Sequence, residues 1–155
     1  MNNYIKTILI AEEDQNTAQL LVSIFQKNKF NVGWVQDCDS IFEALVERNV
    51  DLALIDLSLA YSSDKISLIS HIKAVSPDME IIIMTDFRNP ELLNHALLSG
   101  ASVFVQKPID PEQLILMSVK TLEKQHLKRE NYNLLLELAI LKNQIEQFTR
   151  NQTKL

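Results

Sequence analysis

The chain has 155 residues, 46% of them hydrophobic and 23% charged, a length that fits one compact domain plus an appendage and a composition that can bury an ordinary core. Its net charge of −5 supplies no broad basic field, and no Lys/Arg run is flanked by aromatic residues, so direct nucleic acid binding by this chain is not expected. The single Cys38 rules out an intramolecular disulfide, no Cys/His cluster has ligand spacing, and neither a signal peptide core nor an apolar run near the ~20 residues of a membrane span occurs, so a cytoplasmic protein without a membrane partner is expected.

Five short apolar runs follow one another at residues 4–11, 30–35, 50–56, 80–85 and 101–106, each of a length that suits a strand buried on both faces. Between them, residues 14–27, 40–48, 65–75 and 90–99 space apolar side chains by three and four, the period of an amphipathic helix. Parallel neighbours need a crossover, normally right-handed. The alternation therefore predicts an α/β fold, a doubly wound five-stranded parallel sheet with helices on both faces. Ser76-Pro77-Asp78 is expected to stop the third helix, Asn89-Pro90 to open the fourth, and Gly100 to end it in a left-handed residue.

In such sheets ligands bind beyond the carboxyl ends of the strands, where strand order reverses. Those ends carry Glu12-Glu13-Asp14, Asp56, Thr85-Asp86 and Lys107-Pro108. Taken singly, each has a plain reading: an acidic helix start, a strand-end cap, a common strand threonine, a solvated lysine. Together they converge. Crowded carboxylates repel one another and need a lysine or divalent cation, and Mg2+, with its preference for oxygen ligands and shared phosphate oxygens, is the natural one. An aspartate beside such charge becomes a nucleophile toward a phosphoryl donor, because metal and lysine neutralise the charge that moves in transfer. His71, His95 and His126 show no ligand spacing and read as surface or satisfied histidines.

The segments Ile8-Leu9-Ile10-Ala11-Glu12-Glu13-Asp14, Asp51-Leu52-Ala53-Leu54-Ile55-Asp56, Ile81-Ile82-Ile83-Met84-Thr85 and Gly100-Ala101-Ser102-Val103-Phe104-Val105-Gln106-Lys107-Pro108 resemble, in order and spacing, the receiver domain of two-component response regulators. The resemblance implies a flavodoxin-like fold over residues 1–120. It implies that Asp56 is the phosphoacceptor, that Glu12, Glu13 and Asp56 form the Mg2+ site, and that Lys107 pairs with phosphoryl oxygens before a cis bond to Pro108. Thr85 then matches the switch hydroxyl and Phe104 the aromatic residue that turns inward with it. A partner sensor histidine kinase, a phosphotransfer protein or a small phosphodonor would supply the phosphoryl group. Such a domain is a phosphoacceptor rather than an enzyme, acting at most on its own Asp56.

The chain departs from the family pattern in several places. Glu13 stands where the second acidic residue is usually Asp, and Asp86 where a small residue normally follows the switch threonine. Residues 57–65 lack the usual proline and small-residue turn, so a remodelled loop with one inserted residue is expected. Ser58 and Phe87 occupy the positions two beyond Asp56 and Thr85 that influence phosphoryl hydrolysis in the family, and a bulky Phe87 is expected to exclude the attacking water.

From Pro111, a good first helical residue, no strand signal remains. Leu127, Leu134, Leu141 and Phe148 at d alternate with Asn131, Leu138 and Ile145 at a, the spacing of a coiled-coil seam in which the polar Asn131 favours two strands. Residues 121–155 are thus expected to form an extended helix that makes a homodimer. The alternative is packing on the chain's own domain, for which Leu135, Leu136 and Ile140 offer a wider apolar face. Either the chain belongs to a longer protein with an output domain, or the coiled coil is the output surface, with residues 151–155 a frayed end.

The leading functional expectation is a phosphorylation-dependent signalling switch with output through this helix. The alternative is a receiver-like scaffold or dimerisation module that no longer depends on phosphorylation, which Glu13 and Asp86 favour. A nucleotide-binding or metal-dependent hydrolase of similar topology fits less well, because no glycine-rich phosphate loop follows the first strand.

Overall fold

The computed structural model describes residues 4–60 and 65–154. Residues 1–3, residues 61–64 of the remodelled loop expected over 57–65, and the last residue of the expected frayed end lie outside the described residues. The chain divides into two compact units, Met1–Leu122 and Glu123–Leu155.

In the first unit, β1 (Thr7–Ala11), β2 (Asn31–Val35), β3 (Leu52–Asp56), β4 (Glu80–Thr85) and β5 (Val103–Gln106) form one sheet in the order β2-β1-β3-β4-β5. Every strand pair is parallel. Between them run α1 (Gln15–Lys27), α2 (Cys38–Glu47), α3 (Lys65–Val75) and α4 (Pro90–Leu98), and α5 (Pro111–Gln152) follows β5. The doubly wound five-stranded α/β fold and the long final helix are as the alternation of apolar runs predicts.

The sheet's two faces explain why its central strands are unbroken apolar runs. Leu9, Ala11, Ala53, Ile55, Ile81 and Ile83 point into a core shared with Ile41 and Leu45 of α2, Leu68, Ile69 and Ile72 of α3, and Ala96 of α4. The alternate residues Ile8, Ile10, Leu52, Leu54, Ile82 and Met84 pack with Leu21 and Phe25 of α1 and with Leu114 and Leu122. Since successive strand residues face opposite sides, both sets must be apolar once helices cover both faces. β2 and β5, at the edges, are less buried.

Helix ends follow local chemistry. Asp14 caps α1 by accepting the Thr17 N–H at 2.8 Å, Asp37 caps α2 through Ser40, and Asn89 caps α4 with Pro90 as its first residue. Gly100, just past α4, has φ of 118°. A Cβ there would stand 2.7 Å from Lys73 Cγ, so the position needs glycine both for its backbone and for its space. The Lys107–Pro108 bond is cis, as the resemblance implies.

In the second unit the helix is exposed from His126 onward. Leu127, Leu134, Leu138, Leu141, Ile145 and Phe148 all present more than half of their surface to solvent. Among the described residues no helix is long and apolar enough to cross a membrane.

Candidate functional site

Strand order reverses between β1 and β3, which lie side by side although β2 separates them in sequence. Their carboxyl ends therefore open a crevice that neither outgoing helix fills. Glu12 follows β1 directly and Asp56 closes β3, placing one carboxylate on each side of that point. Lys107 leaves β5 two strands away, and its backbone N–H donates to the Thr85 carbonyl at 2.9 Å, tying the ends of β4 and β5 together. These residues, with Glu13, Asp14, Gln15 and Ser58, line one shallow open depression.

Its centre is an ion-pair triad. Lys107 Nζ lies 2.7 Å from Asp56 Oδ2 and 3.2 Å from Glu12 Oε2. Glu12 is only 2% exposed and Asp56 3%, so the lysine is the countercharge for two carboxylates that have lost most of their water. Asp56 Oδ1 also accepts the Ser58 N–H at 2.9 Å, at the start of a 3₁₀ turn over Leu57–Leu59. Glu12 Oε1 accepts the Asp14 N–H at 3.0 Å, and the Glu12 carbonyl accepts Trp34 Nε1–H at 2.9 Å.

The two carboxylates divide unequally. Burial pushes the Glu12 carboxyl above the usual range, the Asp56 charge adds to this, and the Asp14 N–H and Lys107 oppose without cancelling it. Burial acts on Asp56 in the same sense, but there the Lys107 ammonium and the Ser58 N–H outweigh it and hold the carboxyl below its ordinary value. The shorter contact to Lys107 belongs to Asp56, which accounts for the difference. Burial would lower Lys107, yet its bonds to Asp56 and then Glu12 raise it above an ordinary lysine. Near neutral pH Asp56 is a carboxylate and Lys107 an ammonium, the charge state a nucleophilic aspartate requires.

Of the residues singled out from sequence, Glu12, Asp56 and Lys107 are in direct contact. Glu13 is exposed and lines the same depression, without a place in the triad. Thr85 closes β4, is 1% exposed, and its Oγ1 accepts the Phe87 N–H at 3.0 Å. Phe104 is half-buried on the core face shared with α2, α3 and α4. Asp86 is exposed and is not among the residues lining the depression, so its charge does not join the carboxylates there.

Two neighbours were not anticipated. Trp34 lies on β2 at the sheet edge, and its indole holds the backbone that presents Glu12. Lys65, 9% exposed, donates to the Leu57 carbonyl at 3.0 Å, one residue beyond Asp56, and lies 4.4 Å from the centre of the Phe87 ring. Its one sequence signal is contrary: a lysine opening a helix stands against the helix dipole.

Hard carboxylate oxygens of Glu12 and Asp56, with Glu13 at the rim, are the donor type that magnesium takes. Among the described residues no three His, Cys, Asp or Glu side chains are arranged to hold an ion by themselves.

Residues 8–118 match the family model described as response regulator receiver domain. The chain is 29% identical over 146 residues to a cyclic di-GMP phosphodiesterase of Thermotoga maritima, covering 92% of this chain and 39% of that protein. It is 25% identical over 124 residues to the nitrogen assimilation regulatory protein NtrX of Azorhizobium caulinodans, covering 79% of this chain and 27% of the relative. It therefore spans about two fifths or less of the length of these relatives. Among solved structures, a CheY-like response regulator receiver domain protein from Methanospirillum hungatei superposes with a TM-score of 0.75 at 22% identity, over 81% of this chain and 99% of that one. The chain belongs to the response regulator receiver domains of two-component signalling systems.

Proposed function

We propose that Asp56 accepts a phosphoryl group with Mg2+ bound beside it, and that the exposed C-terminal helix carries the output as a homodimer. The observation that carries the first part is the Lys107–Asp56 pair of 2.7 Å at a buried carboxylate kept ionised in an otherwise acidic depression. In the transfer, an Asp56 carboxylate oxygen attacks phosphorus. The P–N bond of a phosphohistidine on a sensor kinase or phosphotransfer protein breaks, and its electron pair stays on the imidazole nitrogen. The product is an acyl phosphate on Asp56.

Magnesium would be held by Glu12, Glu13 and Asp56 and would supply countercharge to the phosphoryl oxygens. Lys107 follows the phosphoryl group as the Asp56 oxygen is taken into the acyl phosphate. Ser58 N–H keeps the carboxyl oriented. Thr85 Oγ1 turns toward the new phosphoryl oxygens and Phe104 moves inward, a two-state change biased by local charge.

For the helix, supporting features lie in its charge pattern. With Leu134 and Leu141 at d, Glu137 falls at g and Lys142 at e of the following heptad. In a parallel pair these meet across the seam as opposite charges, whereas an antiparallel pair brings g against g and e against e. This favours a parallel dimer with Asn131 facing its counterpart.

The test is incubation with Mg2+ and acetyl phosphate, or with a cognate kinase, read by intact mass. Phosphoryl mass on the wild type and none on Asp56→Asn is expected. No added mass with either donor would leave the phosphorylation-independent scaffold as the better reading. Sedimentation of the chain beside a version ending at Leu122 tests assembly, with a monomer in both cases ending the dimer model.

A further inference from the structure

The Thr85 hydroxyl is engaged at rest. Its oxygen accepts the Phe87 N–H at 3.0 Å, so any rotation that carries it toward Asp56 must break this bond and reshape the turn that holds Phe87. The Phe87 ring in turn lies over Lys65, whose ammonium stands 4.4 Å from the ring centre and donates to the Leu57 carbonyl.

Lys65 is an unusual residue to find there. It is 9% exposed and opens α3, where the helix dipole disfavours a cation. Among the described residues, the Leu57 carbonyl on one side and the negative face of the Phe87 ring on the other compensate it. The pair thus ties the segment leaving β3 to the segment leaving β4. Resting on the switch role proposed for Thr85, we infer that Lys65 and Phe87 form a latch that holds the Thr85 hydroxyl in its resting place and sets how readily the switch moves.

Both are positioning residues, since neither touches Asp56. Lys65→Met keeps the apolar stem but removes the charge, and the Leu57 carbonyl still accepts the Ala60 N–H. Lys65→Arg keeps a cation that can donate to the carbonyl and stack on the ring. The latch has two readouts in the full chain. Hydrogen exchange at the Phe87 amide reports the bond to Thr85 without phosphorylation. The rate of phosphorylation by acetyl phosphate with Mg2+ reports the switch.

Lys65→Met is expected to raise both about fivefold, the shift that loss of a partly buried cation–π contact produces. Lys65→Arg should stay near the wild type. Phe87→Leu should speed phosphorylation as Lys65→Met does, and the double variant should be no faster than either single one, because both remove one contact. A folded Lys65→Met protein whose Phe87 amide exchanges within twofold of the wild type overturns the latch. So does faster exchange with an unchanged phosphorylation rate. If Lys65→Met fails to fold, Phe87→Leu decides by its rate, an unchanged rate again overturning it. If the wild type takes up no phosphoryl group, the phosphoacceptor reading fails, while amide exchange still decides whether the latch exists.

Discussion

Replacing Lys107 by methionine isolates what the triad contributes. The substitution keeps an unbranched stem and leaves Glu12 and Asp56, 2% and 3% exposed, without their shared countercharge. Removing one partner of a buried pair costs about 3–5 kcal/mol, and the partly exposed lysine places this case near the lower end, about 3 kcal/mol at pH 7.5. The sign with pH follows from linkage. In the wild type, Asp56 lies below its unfolded value, so it stabilises the fold above the unfolded carboxylate range near pH ~4, and that contribution is lost as pH falls through the folded value. Without Lys107, burial and mutual repulsion raise both carboxyls, so the folded state binds more protons than the unfolded one and stability falls as pH rises. The gap between the proteins must therefore open between pH ~4.5 and ~7.5. Urea unfolding at these two pH values, at fixed protein concentration and without divalent cations, measures it. With a slope of ~2 kcal/mol/M the variant's midpoint drops by about 1.5 M at the higher pH. A gap below ~1 kcal/mol there, or the same gap at both pH values, would refute the view that Lys107 neutralises two desolvated carboxylates.

Trp34, the single tryptophan, donates to the Glu12 carbonyl, so Mg2+ binding should change its fluorescence, with saturation shifted to higher concentration in Asp56→Asn and Glu13→Gln; an unresponsive signal in all three would remove Glu12 from the metal site. Gly100→Ala should lower stability by about 1–2 kcal/mol in thermal or urea unfolding, since alanine there meets both a φ of 118° and the Lys73 side chain. Lys142→Glu should weaken the dimer in sedimentation, and combining it with Glu137→Lys should restore it, whereas an antiparallel pair predicts no such rescue.

How far the sequence revealed the fold differs from element to element. β1, β3 and β4 were legible because strands covered on both faces have no polar alternation, and their ends are marked by the first charged or hydroxyl residues, Glu12, Asp56 and Thr85. Asn89-Pro90 and Gly100 were legible because cap and left-handed positions demand particular residue types. Contacts among side chains were harder. Lys65 and Trp34 act through groups tens of residues away or through backbone carbonyls, and no local pattern encodes those partners. Glu13 adjoins Glu12 in sequence, but successive residues diverge at the end of a strand, and of the two only Glu12 pairs with Lys107.

The charge balance at the triad also bears on the phosphorylation proposed for Asp56, because that reaction would call for further countercharge. One ammonium faces two buried carboxylates, so the triad carries a net negative charge before any donor arrives. An acyl phosphate on Asp56 replaces a single negative charge by one approaching two, as phosphorylation of other side chains does. Were Asp56 phosphorylated as proposed, Lys107, already closer to Asp56 than to Glu12, would be drawn further toward the new oxygens, and Glu12 would lose part of its contact with that ammonium. Its carboxyl, already pushed up by burial and by Asp56, would then be driven toward protonation unless a divalent ion takes the vacated coordination. On the proposed phosphorylation, the demand for a divalent ion would thus belong to the phosphorylated and transferring states more than to the resting fold. Mg2+ should accordingly stabilise the phosphorylated protein against unfolding by a larger margin than the unphosphorylated one, and equal margins would show that Glu12 keeps its share of Lys107 throughout.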